Sequence, residues 1–429
     1  MATAAATAPV AATSETRHAA RAAGLLAATG FVTGLSNFAF NVVVARTGGV
    51  GAFGGTAALL SLVTIAGFVA SGVQYAMARR AATWDGAPRA LLRTSLPLMW
   101  PWMLCVVAAC ASVRQLAAYL GVDTAPALLV IALFVAVLAA ALPGGVLIGR
   151  RRFGLIAGLS LVGVAIRLCG GALLTRRMDA TAGALLASFV PAALSVAVFL
   201  VFALRIGSTR HAEARSAGEM SAGFTTESFT GALISAALWA LWVMPMVFAR
   251  HLLSAQASGR FAAAQVLASG VLFVTAPVAT AFYPTVARHR EWRAVLVGAS
   301  ATAGLAGAAS LGMAVLGPSL MGGVYGAGFA VSGRILLELG LSAATVSLAT
   351  YAVWISRAMR SHAVPVAAAV GIAALVQVLV GVALPGNLEV LAALPCISLV
   401  LAALCVAPAA AMRRTARRPV VVLLGADEA

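Results

Sequence analysis

Apolar runs of about 20 residues recur along the whole chain, and short breaks that carry arginine separate them. A helix needs about 20 mainly apolar residues to cross the hydrocarbon core of a membrane. We therefore predict an all-α integral membrane protein of about twelve transmembrane helices. The predicted spans are 22–45, 53–77, 94–113, 126–149, 154–175, 182–204, 228–249, 261–285, 294–318, 332–356, 364–385 and 388–411.

The composition is typical of a chain that has lipid as its solvent. Of the 429 residues, 62% are hydrophobic and 10% are charged, whereas a soluble domain carries roughly 25% charged residues. The net charge of +17 does not indicate nucleic-acid binding, because the basic residues sit singly or in small groups between apolar runs. The five cysteines lie in apolar runs without metal-ligand spacing, so the sequence predicts no metal site and no cofactor.

Arginine placement predicts the orientation of the chain. Cytoplasmic loops of membrane proteins are enriched in Lys and Arg. With the N-terminus inside, 21 arginines fall in inner segments and 6 in outer loops, while Arg167 and Arg334 lie within spans. Both termini are therefore expected in the cytoplasm. The Ala-rich composition, with no lysine, is typical of a bacterial protein and predicts the bacterial cytoplasmic (inner) membrane.

A faint repeat divides the chain into halves. VVVAR ends at Arg46 and precedes Phe53, while MVFAR ends at Arg250 and precedes Phe261. Six spans per half make the repeat parallel, with the substrate between two six-helix lobes; the alternative is chance similarity of two apolar hairpins. The predicted segments are a disordered cytoplasmic N-terminus (1–21), an N-terminal lobe (22–204), a cytoplasmic linker (205–227), a C-terminal lobe (228–411) and a cytoplasmic tail (412–429).

Three stretches carry a resemblance to a known family. Residues 41–80 read NVVVARTGGVGAFGGTAALLSLVTIAGFVASGVQYAMARR, residues 249–284 read ARHLLSAQASGRFAAAQVLASGVLFVTAPVATAFYP, and residues 325–345 read YGAGFAVSGRILLELGLSAAT. The chain resembles polysaccharide-exporting flippases of the multidrug/oligosaccharidyl-lipid/polysaccharide (MOP) superfamily. The resemblance implies two lobes that rock about a central cleft, lined by the first, second, seventh and eighth helices. The implied cargo is a polyprenyl-diphosphate-linked sugar, and the implied partners are the bilayer, a polysaccharide polymerase and glycosyltransferases.

Polar residues within the spans are the candidates for substrate binding. Asn37 and Asn41 are four apart, so they share one face of the first helix. Gln74 and Gln265 lie in the second and eighth spans, where an amide needs another helix or a wet cavity. Hydrogen bonds to sugar and hydrogen bonds between helices both fit these amides. Trp242 either stacks on a sugar ring or anchors the membrane interface.

Two arginines lie within spans. Arg167 is expected deep in the membrane, where a charge needs a partner or a wet cleft, and the diphosphate of the implied cargo would supply that partner. The alternatives are backbone carbonyls at a helix break near Gly170, or an earlier end of the fifth helix. Arg334 lies one turn before Glu338, and this pair is either structural or the site of ion coupling.

Two other functions compete with the flippase. A cation-coupled multidrug exporter of the same superfamily needs carboxylates within the membrane, and the first half has none in its spans. A membrane-embedded glycosyltransferase or ligase needs a catalytic cluster in a sizeable outer loop, and the outer loops are short. The sequence therefore predicts a transporter and not an enzyme. It also lacks a phosphate-binding Gly-rich loop, which argues against ATP-driven pumping by this chain alone.

Overall fold

The computed structural model describes residues 8–83, 88–205, 224–289, 292–359, 363–383, 388–400 and 402, with side chains from residue 28 onward. All regular structure in these ranges is helical, in agreement with the predicted all-α fold. Most of the predicted linker and the whole predicted tail lie outside the described residues.

The first two predicted spans form a single broken helix, α1 (Ala8–Thr83). Gly49 interrupts it with φ 72° and ψ 174°, a conformation open to glycine because it has no Cβ. The rings of Phe38 and Phe53 lie 6.0 and 6.3 Å from the same ring of Tyr325. Fifteen residues of straight helix would span about 22 Å, so the two arms of α1 fold back on each other.

The start of α1 differs from the expectation for the N-terminus. The helix begins at Ala8, inside the segment 1–21 for which the sequence predicts disorder. Alanine is the strongest helix former among the residues, and this segment is rich in it. Alanine content therefore extends the first span toward the N-terminus as helix.

The remaining helices follow the predicted spans, with two additions. The third span, 94–113, is divided by a 3-10 turn at Pro97–Met99, because proline removes a backbone donor. The helix α4 occupies a predicted outer loop and buries Val113, Ala117 and Leu120 on one face. The helices are α2 (Pro88–Ser95), α3 (Trp100–Ala111), α4 (Val113–Leu120), α5 (Thr124–Gly149), α6 (Phe153–Arg177), α7 (Ala180–Arg205), α8 (Phe224–Leu252), α9 (Ala255–His289), α10 (Trp292–Leu320), α11 (Gly333–Met359), α12 (Ala363–Ala383) and α13 (Leu388–Val400).

The described helices agree with about twelve crossings. Nine of them are long and apolar enough to span a membrane, and the first of these, Ala28–Ala82, contains both arms of α1. Two shorter apolar helices, Ala368–Gly381 and Leu388–Val400, follow at the C-terminus. With α1 taken as two crossings, the described helices account for each of the twelve predicted spans.

One end of the bundle carries the three described glycines with positive φ, which are Gly49, Gly121 and Gly326. We call this the kinked end. Each of these glycines follows a helical segment and reverses the chain. The second arm of α1 packs closely on α8 along the bundle, since a Cβ on Gly72 would collide with the backbone of Ala232. The chain therefore has a long shared core between its first and second halves.

Candidate functional site

A cavity of about 590 Å³ lies between both arms of α1 and helices α5 to α9. Most of its wall is apolar, and hydroxyl and amide groups interrupt it. At one end it reaches Thr29 of α1 and Ile156 and Ala157 in the first turn of α6, which lie away from the kinked end. Among the described residues that line it, Arg167 is the only one with a charged side chain, and none of them is Asp or Glu.

The guanidinium of Arg167 is held by side chains from two other helices. Its Nε donates to Ser188 Oγ of α7 at 3.0 Å, and its Nη1 donates to Asn37 Oδ1 of α1 at 2.8 Å. The guanidinium also lies over the ring of Phe40, 4.1 Å from the centroid, as a cation–π contact. None of the hydrogen bonds described for this residue uses Nη2, so donors remain for a ligand in the cavity.

The local structure of α6 excludes both alternatives that the sequence leaves open for Arg167. The helix continues without a break through Gly170 and ends at Arg177, so the fifth span is not shorter than predicted. Gly171 instead allows close packing, because a Cβ there would lie 2.6 Å from Phe40 Cε2. This glycine brings the buried Phe40 ring against α6, where it lies beneath Arg167.

Asn37 and Asn41 both line the cavity, on the one face of α1 that their spacing predicts. Asn37 orients Arg167 through its side-chain oxygen. Asn41 donates through Nδ2 to the backbone oxygen of Asn37 at 2.8 Å, so its amide nitrogen bonds back to the preceding turn of its own helix. Its side-chain oxygen stays available at the cavity wall.

Gln265 and Trp242 also line the cavity, but both serve contacts between α8 and α9. Gln265 Nε2 donates to the backbone oxygen of Trp242, and Trp242 Nε1 donates to Ser269 Oγ at 3.1 Å. Trp242 is buried, with 3% of its surface exposed, so it does not anchor the membrane interface. The neighbouring Trp239 stacks on Phe68 of α1 with ring centroids 4.1 Å apart, and it leaves an aromatic surface along the cavity.

Three predicted site residues lie elsewhere. Gln74 lines a separate pocket of about 220 Å³ between α1, α5 and α7. Arg334 Nε binds Glu338 Oε1 at 3.2 Å, and Arg334 Nη2 binds Glu389 Oε2 of α13 at 3.2 Å. Neither Arg334 nor Glu338 lines the cavity. The structure thus places this pair in a partly exposed ion network that connects α11 with α13.

Sequence reasoning missed two residues that support the site. Ser188 is a single hydroxyl in the apolar run of α7, and Phe40 resembles any other core aromatic. One signal could have indicated the contact between Ser188 and Arg167: the two residues are 21 apart in the chain, on neighbouring antiparallel helices.

Toward the kinked end, the described cavity lining includes Asn41 and Ala57, and a cluster of aromatic rings lies about one turn beyond Ala57. Phe53 of α1 contacts Tyr325 and Phe329, with ring centroids 6.3 and 6.0 Å apart. All three residues are buried. We call Phe53, Tyr325 and Phe329 the aromatic seal. The cavity therefore stops short of the aromatic seal and extends away from the kinked end as far as Thr29, which we call its accessible end.

Solved structures that share this fold are membrane transporters. The lipid II flippase MurJ in an inward closed conformation superposes with a TM-score of 0.70 at 12% identity, over 89% of this chain and 86% of that one. An inward-facing MATE family multidrug resistance transporter of the MOP superfamily gives 0.63 at 14% identity, over 90% and 95% of the two chains. A Pyrococcus furiosus MOP transporter, described as having a binding pocket of reverse polarity, gives 0.57 at 13% identity, over 92% and 96%.

At these identities, the likeness establishes the fold and leaves the substrate open. No family profile and no curated protein sequence matches the chain. The chain is accordingly a multi-pass membrane protein with the fold of MOP superfamily transporters. What the chain binds must be inferred from its own cavity.

Proposed function

We propose that this protein is a MOP superfamily flippase that moves a polyprenyl-diphosphate-linked oligosaccharide or polysaccharide precursor from the inner to the outer leaflet. Two lobes, 22–204 and 228–411, would rock about the cavity by alternating access. The observation that carries the proposal is the charge of the cavity wall, where the cationic Arg167 is the only charged side chain among the lining residues that the structure describes.

A cationic cavity without carboxylates favours an anionic cargo. A buried charge is costly unless it is paired or hydrogen-bonded, and Ser188 and Asn37 solvate Arg167 without neutralising it. A diphosphate would neutralise it, because guanidinium binds phosphate oxygens through parallel N–H donors. Arg167 would thus hold the diphosphate, with Asn41 and the aromatic face of Trp239 toward the sugar.

The size of the cavity agrees with binding of the polar head alone. About 590 Å³ falls within the usual range for pockets that hold small molecules, roughly 300–1,000 Å³. A polyprenyl chain would stay in the lipid outside, where it is already in an apolar solvent. The cavity would therefore enclose the diphosphate and its nearest sugars.

The orientation follows from the arginine asymmetry, and we propose that both termini face the cytoplasm of a bacterium. The kinked end then faces outward, and the accessible end of the cavity faces the cytoplasm, where lipid-linked sugars would be supplied by glycosyltransferases. A polymerase would consume the product at the outer leaflet.

A cation-coupled multidrug exporter is the second candidate, because a MATE transporter shares the fold. Such an exporter needs a carboxylate to bind cations or cationic drugs within the membrane. The part of the cavity wall that the structure describes has none, which favours the flippase.

The deciding experiment measures flipping of a fluorescent polyprenyl-diphosphate sugar in proteoliposomes. Arg167→Ala should insert and fold, yet flip at least about tenfold more slowly, since a hydrogen bond to a charged group contributes roughly 1.5–3 kcal/mol. Arg167→Lys should keep part of the rate, and Arg176→Ala, at an exposed arginine on the same helix, should keep all of it. Wild-type flipping by Arg167→Ala would refute the phosphate role. Export of a cationic dye without lipid flipping would favour the exporter.

A further inference from the structure

Two arginines at the kinked end bind backbone carbonyls of the opposite half of the chain. Arg46 of α1 donates from Nε to Val324 O at 2.7 Å and from Nη2 to Gly323 O at 2.8 Å. Arg250 of α8 donates from Nε to Leu120 O at 2.8 Å and from Nη2 to Gly121 O at 3.0 Å. Each guanidinium therefore holds two successive carbonyls across the two halves.

The two contacts are reciprocal in both sequence and structure. Arg46 ends VVVAR in the first half, and Arg250 ends MVFAR in the second. Each acceptor pair lies at the C-terminus of a helical segment that stops at a positive-φ glycine, which is Gly121 after α4 and Gly326 after the π-helical turn Met321–Tyr325. Gly121 follows Arg46 by 75 residues and Gly326 follows Arg250 by 76, so equivalent elements of the two halves exchange equivalent contacts.

The acceptors suit a guanidinium. The last carbonyls of a helix have no partner within the helix, and the macrodipole gives that terminus a partial negative charge. The fork of N–H donors in Arg matches two successive carbonyls, which the single ammonium of Lys cannot bind in the same way.

We propose that Arg46 and Arg250 form a two-fold latch that holds the kinked end closed while the cavity is open at the other end. The proposal rests on alternating access by the function proposed above. One acceptor of the latch, Val324, directly precedes Tyr325 of the aromatic seal, so releasing both guanidinium contacts would let the seal part. Because three of the four contacts are exposed, water can replace them, and the latch can open in each transport cycle without leaving a buried charge unpaired.

Distances between pairs of spin labels, measured by double electron–electron resonance, test the latch without any substrate. One label pair, at Gln115→Cys of α4 and Gln256→Cys of α9, spans the kinked end between the halves. A second pair, at Gly154→Cys of α6 and Arg293→Cys of α10, spans the opposite end. All four sites are exposed, and the five native cysteines are first replaced by serine or alanine.

Replacing Arg46 and Arg250 together by Gln should add a longer-distance population at the kinked end and a shorter one at the opposite end. The double variant with Lys at both positions should give distance distributions between those of the wild type and the Gln variant. Arg260→Gln is the matched control, because Arg260 also binds a carbonyl at the kinked end, Gly328 O at 3.0 Å, but within one half. It should leave both distributions unchanged.

Two results would overturn the latch. Unchanged distances in the double variant would show that the arginines do not set the equilibrium. Longer distances at the kinked end alone, with the opposite end unchanged, would show local loosening. The flipping assay separates these results from the proposed function, since a flippase without a latch still transports, and a latch can close a transporter of any cargo.

Discussion

Arg167 Nη1 lies 2.8 Å from Asn37 Oδ1, across the cavity wall between α6 and α1. A neutral amide thus orients the only charge among the described residues of the cavity wall and leaves that charge uncompensated. A carboxylate in place of the Asn37 amide would form an ion pair with Arg167 inside the protein. This relationship allows the anion hypothesis to be tested by a nearly isosteric change.

Asn37→Asp should therefore reduce flipping by at least about tenfold, because the new carboxylate neutralises Arg167 and competes with the diphosphate. The matched change Gln74→Glu also converts an amide into a carboxylate on α1, but in the separate pocket of about 220 Å³. It should leave flipping nearly unchanged. Both variants are measured in proteoliposomes at equal protein content. Full activity of Asn37→Asp would contradict an anionic cargo at this site.

Gly171→Ala should lower the free energy of unfolding by roughly 1–3 kcal/mol, the usual cost of overpacking a core. The added Cβ would lie 2.6 Å from Phe40 Cε2 and displace the ring beneath Arg167. Gly158→Ala is the control on the same helix, since a Cβ there meets nothing within 4 Å. The unfolding temperatures of the two variants are compared in detergent. Equal temperatures would mean that the Phe40 ring can move aside without cost.

Gln377 of α12 donates from Nε2 to Leu241 O at 3.0 Å, the carbonyl that Pro245 leaves without its helical partner. Gln377→Leu should therefore destabilise the protein by about 1 kcal/mol. Adding Pro245→Ala restores a backbone donor for Leu241 O, so the double variant should recover part of the loss. Additive effects in this double-mutant cycle would show that the two residues do not share the carbonyl.

Glu338→Gln should keep both transport and its dependence on an imposed ion gradient. Glu338 pairs with Arg334 at 3.2 Å outside the cavity wall. Because the Arg334 side chain is mostly exposed, we expect the pair to contribute little, roughly 0–1 kcal/mol for a pair at the surface. Flipping is measured with and without a Na⁺ or H⁺ gradient. Loss of the gradient dependence alone would assign Glu338 to ion coupling and reverse this expectation.

Reporter fusions should place residue 215 in the cytoplasm and residue 120 outside. The expectation follows from the 21 arginines in inner segments against 6 in outer loops. A fusion at residue 120, the end of α4, also tests whether the kinked end faces outward. An exterior signal after residue 215 would reverse the orientation and with it the direction of the proposed flipping.

Hydropathy determined the crossings, because a membrane helix must satisfy its backbone internally and present apolar side chains to lipid wherever it lies. The same rule made Arg167 conspicuous, since one charge in an apolar run is visible without any neighbour. The i, i+4 spacing likewise placed Asn37 and Asn41 on one face of a single helix. Each of these features is local to one segment.

Tertiary structure decided which segments meet. Gln74 and Gln265 look alike in the sequence, yet Gln265 binds the backbone of Trp242 while Gln74 lies in another pocket. In the sequence, Arg46 and Arg250 are indistinguishable from other loop arginines, apart from their place in the repeat. Those acceptors are backbone carbonyls, which every residue possesses, so no side-chain pattern marks them. Which carbonyl a guanidinium reaches depends on how helices far apart in the chain pack. That packing is determined by contacts among all the helices and not by any single segment.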